Sequence, residues 1–155
     1  MELKLGVFEN EYEESGKGFY YQNEYSLEYE TNSYKIFDQF LLIYDTLTIT
    51  FNSLNKKFIS LDAFTNKKNW VYVDKIKLPE ICRVGLLKIL EGYENTDRYS
   101  FRFIPIYEYS NEGILKIKLT DDDSNSLFFQ ISNDLIVGIK NQIITSFIIS
   151  KIYFI

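Results

Sequence analysis

Seven glutamates between residues 9 and 30 are the densest concentration of reactive groups in this sequence: Glu9, Glu11, Glu13 and Glu14, then Glu24, Glu28 and Glu30. Tyr12, Tyr20, Tyr21, Tyr25 and Tyr29 are threaded through them, and a second acidic run follows at Asp121-Asp122-Asp123. Carboxylates in such numbers can do three kinds of chemistry. A pair held in a pocket can work on a glycosidic bond without histidine. Ligands alternating along a loop can hold calcium. An uncompensated acidic surface attracts a cationic partner, and tyrosine adds large contact area at small entropic cost.

The first two are poorly supported. No spacing places two carboxylates in one pocket, and the aspartate triplet lacks the alternating ligands and terminal glutamate of an EF-hand, so it reads as a solvated turn. The chain has no histidine, which removes the Ser-His-Asp triad, the Cys-His pair and His-ligated metals. Cys82 is alone, which removes cysteine-rich zinc sites and an intramolecular disulfide; beside Ile81 it reads as a small buried hydrophobe. Arg102, between Phe101 and Phe103, reads as a sheet-surface ion pair with a residue such as Glu108. No catalytic, cofactor-binding or metal-binding set is expected, and the chain reads as a non-enzyme. A net charge of -5 and a pI near 4.8 argue against direct binding of nucleic acid, whose phosphates need lysine and arginine.

The charge is uneven along the chain. Residues 1–34 hold eight acids against two bases, residues 35–88 five against nine, residues 89–134 nine against four, and residues 135–155 two bases alone. Two acidic blocks therefore flank a basic middle. The candidate partner-binding residues are Glu9, Glu11, Tyr12, Glu13, Glu14, Tyr20, Tyr21 and Glu24 in the first block and Asp121, Asp122 and Asp123 in the second. The abundance of Ile, Lys, Asn and Tyr beside a single alanine, Ala63, matches an AT-rich coding sequence, so the carboxylates carry more of this argument than the tyrosines.

The elements that must position these residues follow from hydrophobic periodicity. The 155 residues are read as a single globular domain, 1–155, long enough to bury about 68–70% of its unfolded surface. Leu3/Leu5/Val7, Tyr25/Leu27/Tyr29, Leu47/Ile49/Phe51, Ile59/Leu61/Ala63, Val71/Val73, Leu115/Ile117/Leu119 and residues 127–131 alternate as strands do. Residues 99–109 read as an edge strand or bulge interrupted by Pro105, followed by a hairpin turn at 110–113 that uses Gly113. Three segments carry helical spacing: 33 to about 45 behind Ser33, 79–91 between Pro79 and Gly92, and 133 to about 149 behind Asn133, where the many isoleucines make a strand pair the rival. The expected fold is α+β, a largely antiparallel sheet of about six to eight strands with two or three helices, mostly on one face. No internal repeat is visible. The longest apolar run, residues 143–155, is too short to span a bilayer and is broken by Thr145, Ser146, Ser150 and Lys151, and the start has no targeting segment. A soluble cytoplasmic protein is expected.

In length, missing catalytic residues and the acidic, tyrosine-rich stretches 9–14 and 20–30, the chain resembles the immunity proteins of contact-dependent and other polymorphic bacterial toxin systems. The resemblance implies an inhibitory binding protein that neutralises a cognate toxin domain, often a nuclease with a basic cleft, through a protein–protein contact without a membrane or cofactor. Two alternatives stand beside it. One is a phage- or plasmid-borne inhibitor of a host nuclease, of the anti-CRISPR kind. The other is a small carboxylate-based enzyme or ligand-binding domain.

Overall fold

In this computed structural model, which describes residues 2–9, 15–31, 38–80 and 83–155, alternation prevails over helical spacing. The strands are β1 (Lys4–Phe8), β2 (Lys17–Tyr21), β3 (Ser26–Glu30), β4 (Gln39–Tyr44), β5 (Leu47–Asn52), β6 (Phe58–Phe64), β7 (Val71–Val73), β8 (Arg83–Val84), β9 (Leu86–Glu91), β10 (Arg98–Phe101), β11 (Ile106–Ser110), β12 (Leu115–Lys118), β13 (Leu127–Ser132), β14 (Leu135–Lys140), β15 (Ile143–Ile149) and β16 (Ile152–Phe154). Among the described residues the only helical turn is a 3-10 turn at Lys67–Asn69. The α+β expectation is therefore overturned: the fold is nearly all-β.

Each expected helix fails for a physical reason. In the 79–91 segment, β9 pairs with β1, and Gly85 lets β1 come so close that a Cβ there would sit 2.3 Å from Val7 Cγ1. A glycine in that position is costly in a helix and useful where two backbones approach. In the 33–45 segment, residues 39–44 form β4 with Phe40, Leu42 and Tyr44 buried; residues 32–37 lie outside the described residues. The same apolar run satisfies both periods, and pairing with β5 and β10 selects period two. In the 133–149 segment, β14 and β15 form a hairpin whose turn residues Asn141 and Gln142 both have positive φ, as a tight turn matching strand twist requires. Cys82 lies outside the described residues.

Two seven-stranded sheets face one another, with a two-stranded β1–β9 sheet beside them. The first sheet runs β10-β4-β5-β6-β3-β2-β16 and the second β7-β11-β12-β15-β14-β13-β8. Pairing is antiparallel except at the sheet edges, where β10, β16, β7 and β8 each lie parallel to their neighbour. One core fills the space between the sheets. Tyr20, Leu27, Tyr29, Leu42, Ile49 and Leu61 meet Leu115, Ile117, Val137, Phe147 and Ile149 there, each side chain contributing about 1.5–3 kcal/mol by leaving water. Phe58 and Phe147 sit 6.2 Å apart across it, and the Tyr29 hydroxyl donates to the Asn133 carbonyl from the opposite sheet. The interrupted strand at 99–109 resolves into β10 in the first sheet and β11 in the second, with Pro105 on the crossing. The expected turn at 110–113 forms, Gly113 having φ +87°.

The second half of the chain repeats the pairing of the first, against the expectation of no repeat. Strands β2 through β7 find their counterparts in β11 through β16. Each set makes a hairpin (β2-β3, β11-β12) and a three-stranded meander (β4-β5-β6, β13-β14-β15), then sends its last strand to lie parallel to the first strand of the other set. The register agrees in detail, because a bulge at Thr50/Phe51 in β5 recurs at Gly138/Ile139 in β14. Buried positions coincide as well: Leu27 with Leu115, Leu47 with Leu135, Ile49 with Val137, Leu61 with Phe147, and Ala63 with Ile149. Residue identity hardly recurs, so the repeat is one of burial and hydrogen bonding.

The second sheet also has its outer face covered. Ile136, Ile148 and Ile114 pack with Ile76 in a small separate cluster, with Val73 and Phe128 against it. Residues 74–80, which follow β7, thus lie over that face.

Candidate functional site

The outer face of the first sheet is where sequence and fold concentrate unsatisfied charge. Strand alternation turns Phe19 and Tyr21 of β2, Ser26, Glu28 and Glu30 of β3, and Ser60, Asp62 and Phe64 of β6 to the same outer side, while Tyr20, Leu27, Tyr29, Leu61 and Ala63 fill the core. Register then sets the neighbours. Tyr153 of β16 lies beside Phe19, Phe19 beside Glu28, Glu28 beside Asp62, and Asp62 beside Thr48. Glu30 lies between Lys17 and Ser60.

Two carboxylates thus stand directly opposite one another on adjacent strands, with side-chain roots about 5 Å apart, an arrangement that costs a few tenths to about 1 kcal/mol. Among the described residues, no lysine or arginine forms an ion pair with Glu28, Glu30 or Asp62. The one side-chain contact to Glu28 is a hydrogen bond from the Ser26 hydroxyl at 3.2 Å. Desolvation on the sheet surface, and then the charges of Glu28 and Glu30, push the Asp62 carboxyl above the usual carboxylate range.

Aromatic rings border this acidic row. Phe19 lies 6.2 Å from Tyr21 and 5.6 Å from Tyr153, and at the far end of β6 Tyr25 meets Phe64 edge-on at 6.1 Å. Phe64 is 63% exposed and Tyr153 40%. Exposed rings beside unpaired charge are the composition of a protein-binding patch.

The residues singled out from sequence fall into four groups. Tyr21 and Glu24 reach this region, Tyr21 on the outer face and Glu24 in the exposed turn between β2 and β3. Tyr20 is corrected: it is fully buried, its hydroxyl donating to the Thr65 carbonyl at 2.9 Å and accepting from the Lys67 amide at 3.0 Å, so it supports the sheet and does not face a partner. Glu9 is exposed at the end of β1 and pairs with Arg83 at 2.8 Å, while Glu11, Tyr12, Glu13 and Glu14 lie outside the described residues.

The aspartate triplet is the fourth group, and two of its three members, Asp122 and Asp123, are neutralised locally. Lys116 donates to Asp123 at 2.6 Å, and Lys140 reaches Asp122 at 3.5 Å. Hydrogen bonds from Ser124, then Lys140, hold the Asp122 carboxyl below its ordinary range, and Lys116 does the same for Asp123. Asp121 is exposed. Asp122 and Asp123 are thus spent on their own turn, and among the described residues no group of three potential ligands could hold a metal ion.

Glu28, Asp62, Phe19, Phe64 and Tyr153 are the surface residues that the candidate set lacks. The alternation of Glu28 and of Asp62 is legible in each strand. The pairing of β3 with β6, across more than 30 residues of chain, is what brings them together. Two carboxylates do share a cavity elsewhere: Asp38 and Asp97 line one of about 320 Å³ with Lys56 and Tyr93, and Asp97 there is paired with Arg98 at 3.2 Å. Among the described residues no helix is long and apolar enough to cross a membrane. No protein-family model matches the chain, and no curated protein matches it either.

Proposed function

We propose that this chain is a non-enzymatic inhibitory binding protein, an immunity protein that neutralises a cognate bacterial toxin domain by docking its basic surface on the outer face of the first sheet. The observation that carries the reading is the pair Glu28–Asp62, opposed across two strands and, among the described residues, without a lysine or arginine in an ion pair with either. A fold that bears like charges at a cost gains when a lysine or arginine from a partner arrives between them. The flanking rings of Phe19, Tyr21 and Tyr153 supply the apolar area that charge alone does not. The sheet holds these side chains on rigid strands, so little order has to be created on binding. The reading places the protein in the cytoplasm, bound to a toxin domain, a nuclease with a basic cleft being the chemistry that fits best.

The test is co-expression with the toxin domain encoded beside it, scored by growth and by recovery of a complex. Wild-type protein is expected to restore growth, and the double variant E28K/D62K to lose both rescue and complex while keeping the wild-type unfolding transition. A toxic neighbour that is neither bound nor neutralised overturns the proposal.

A further inference from the structure

A cavity of about 480 Å³ opens at the end of β6, one strand step from the acidic pair. Phe64, Val71, Ile104 and Ile106 line it, together with Asp45 and Tyr107. Phe64 is 63% exposed, Ile104 67% and Val71 48%, although each could have been polar without loss to the core. The walls are fixed. Phe64 is held by Tyr25 against its ring and by the Thr46 hydroxyl, which donates to its carbonyl at 2.7 Å. Pro105 anchors the chain between Ile104 and Ile106, and the Tyr107 ring stacks on Trp70 at 6.4 Å.

Tyr107 adds an observation independent of the exposed rings. Its hydroxyl is buried and has no hydrogen-bond partner. Burial, and then the charge of Asp45, push its ionisation well above the usual tyrosine range, so it stays a neutral donor. Unpaired buried donors are uncommon in native proteins and mark places where a partner group is missing.

We infer that this cavity and the Glu28–Asp62 pair form one docking groove for an extended segment of the partner protein, carrying a lysine or arginine and, two residues away, a bulky apolar side chain. The inference rests on the proposed function and names the part of the partner that is read. Its geometry comes from the strand itself. Asp62 and Phe64 lie on one face of β6, about 6.6 Å apart, and an extended peptide repeats its side chains at the same interval. A cation seated between Glu28 and Asp62 therefore places the side chain two positions along over Phe64, at the cavity mouth. Charge complementarity fixes the sign of the first residue, and the apolar walls fix the nature of the second. Lys67, in the turn beside the cavity, does not compete for the acidic pair: its ammonium is 2.6 Å from Gln22 Oε1 and lies over the Phe154 ring.

The experiment uses the full chain and short synthetic peptides, read by fluorescence anisotropy, so it does not depend on any toxin. The probes are threonine-flanked peptides with Arg-Thr-Phe, the same peptide with Arg and Phe adjacent or three residues apart, and versions with Glu for Arg or Gly for Phe. Arg-Thr-Phe is expected to bind at least about tenfold more tightly than each of the others, and to lose that preference with F64S, with I104S and with D62K. These three positions are exposed, so the variants keep the fold. Absence of binding at millimolar peptide, equal binding at all three spacings, or indifference to F64S and I104S overturns the groove. The two proposals fail separately: if toxin neutralisation is lost in E28K/D62K but unchanged in F64S and I104S, the acidic face stands and the groove falls.

Discussion

Strand for strand, the row Phe19–Glu28–Asp62–Thr48–Ile43 on the first sheet occupies the places of Glu108–Lys116–Ile148–Ile136–Gln130 on the second. The two rows share register, strand order and pairing sense, and they meet opposite fates. On the second sheet, Lys116 stands opposite Glu108 and reaches Asp123, while Ile148 and Ile136 are sealed under residues 74–80 by Ile76. There Lys116 has an acidic partner, and the two isoleucines have a cover. On the first sheet, the places of Lys116 and Ile148 hold the carboxylates Glu28 and Asp62, no described segment seals them, and rings stand at the Phe19 end of the row. One face has been made part of the core and the other has been left to meet something else. The architecture alone therefore does not explain the acidic face, because its twin shows what the same backbone does when only stability is served.

The comparison can be broken at its closed end first. Ile148 is 2% exposed, so I148A is expected to cost about 2–4 kcal/mol, read as a lower urea midpoint with an unchanged slope. I148D, which installs the residue of the first sheet under the covering segment, should cost more than I148A, since it buries an unpaired charge. A loss under about 0.5 kcal/mol in both would mean that the second face is not closed.

At the open end the largest effect is on binding. E28K/D62K is expected to weaken the complex by about a hundredfold, chiefly through slower association, and to reverse its dependence on salt. Association rates that ignore both the substitution and the salt would show a merely solvated surface. By contrast, D62N should leave the fold intact or stabilise it by up to about 1 kcal/mol, because it removes a like-charge pair.

A pH series sharpens the same point. The Asp62 carboxyl is raised above its ordinary value, so its ionised form costs stability in the folded state. That cost is present at neutral pH and disappears as the pH falls through the raised value. The stability advantage of D62N over wild type should therefore shrink between about pH 7 and about pH 4. Asp123 behaves oppositely: Lys116 holds it low, so its contribution is present above the ordinary carboxylate range and is lost as the pH falls through the lowered value. The smallest effect belongs to that pair. D123N should cost about 0.5–1 kcal/mol and leave complex formation unchanged, a null result that separates the aspartate turn from the docking face.

Much of the strand content was legible along the chain, since Leu47/Ile49/Phe51 and Leu115/Ile117 alternate with polar residues and occupy buried strands. The helices were misread where apolar runs satisfy two periods at once. Residues 135–149 are rich in Leu, Ile, Phe and Val because both faces of β14 and β15 are largely covered, and a strand buried on both faces loses its alternation; in β4 the half-buried Leu41 and Ile43 place apolar residues on the outer face as well, with the same effect on the pattern. Gly85 was the available warning in 79–91. The site was legible only in parts. Acidity between residues 9 and 30 was visible, but Tyr20 and Tyr21 are adjacent letters that point to opposite faces, and only the phase of β2 separates them.

Composition and local spacing were enough to determine that histidine chemistry is impossible, that charge is unevenly placed, and which residues of each strand share a side. These are properties of single residues and of neighbours along the backbone. The partnership of Glu28 with Asp62, the neutralisation of Asp122 and Asp123, the covering of one outer face and the openness of the other all depend on register between distant segments. Strand period sets sidedness within a strand, but which strand lies alongside is chosen by packing of the whole core, where Tyr29, Leu61 and Ile149 meet. That long-range choice carries no local signature, and it is what turns a string of acids into a surface.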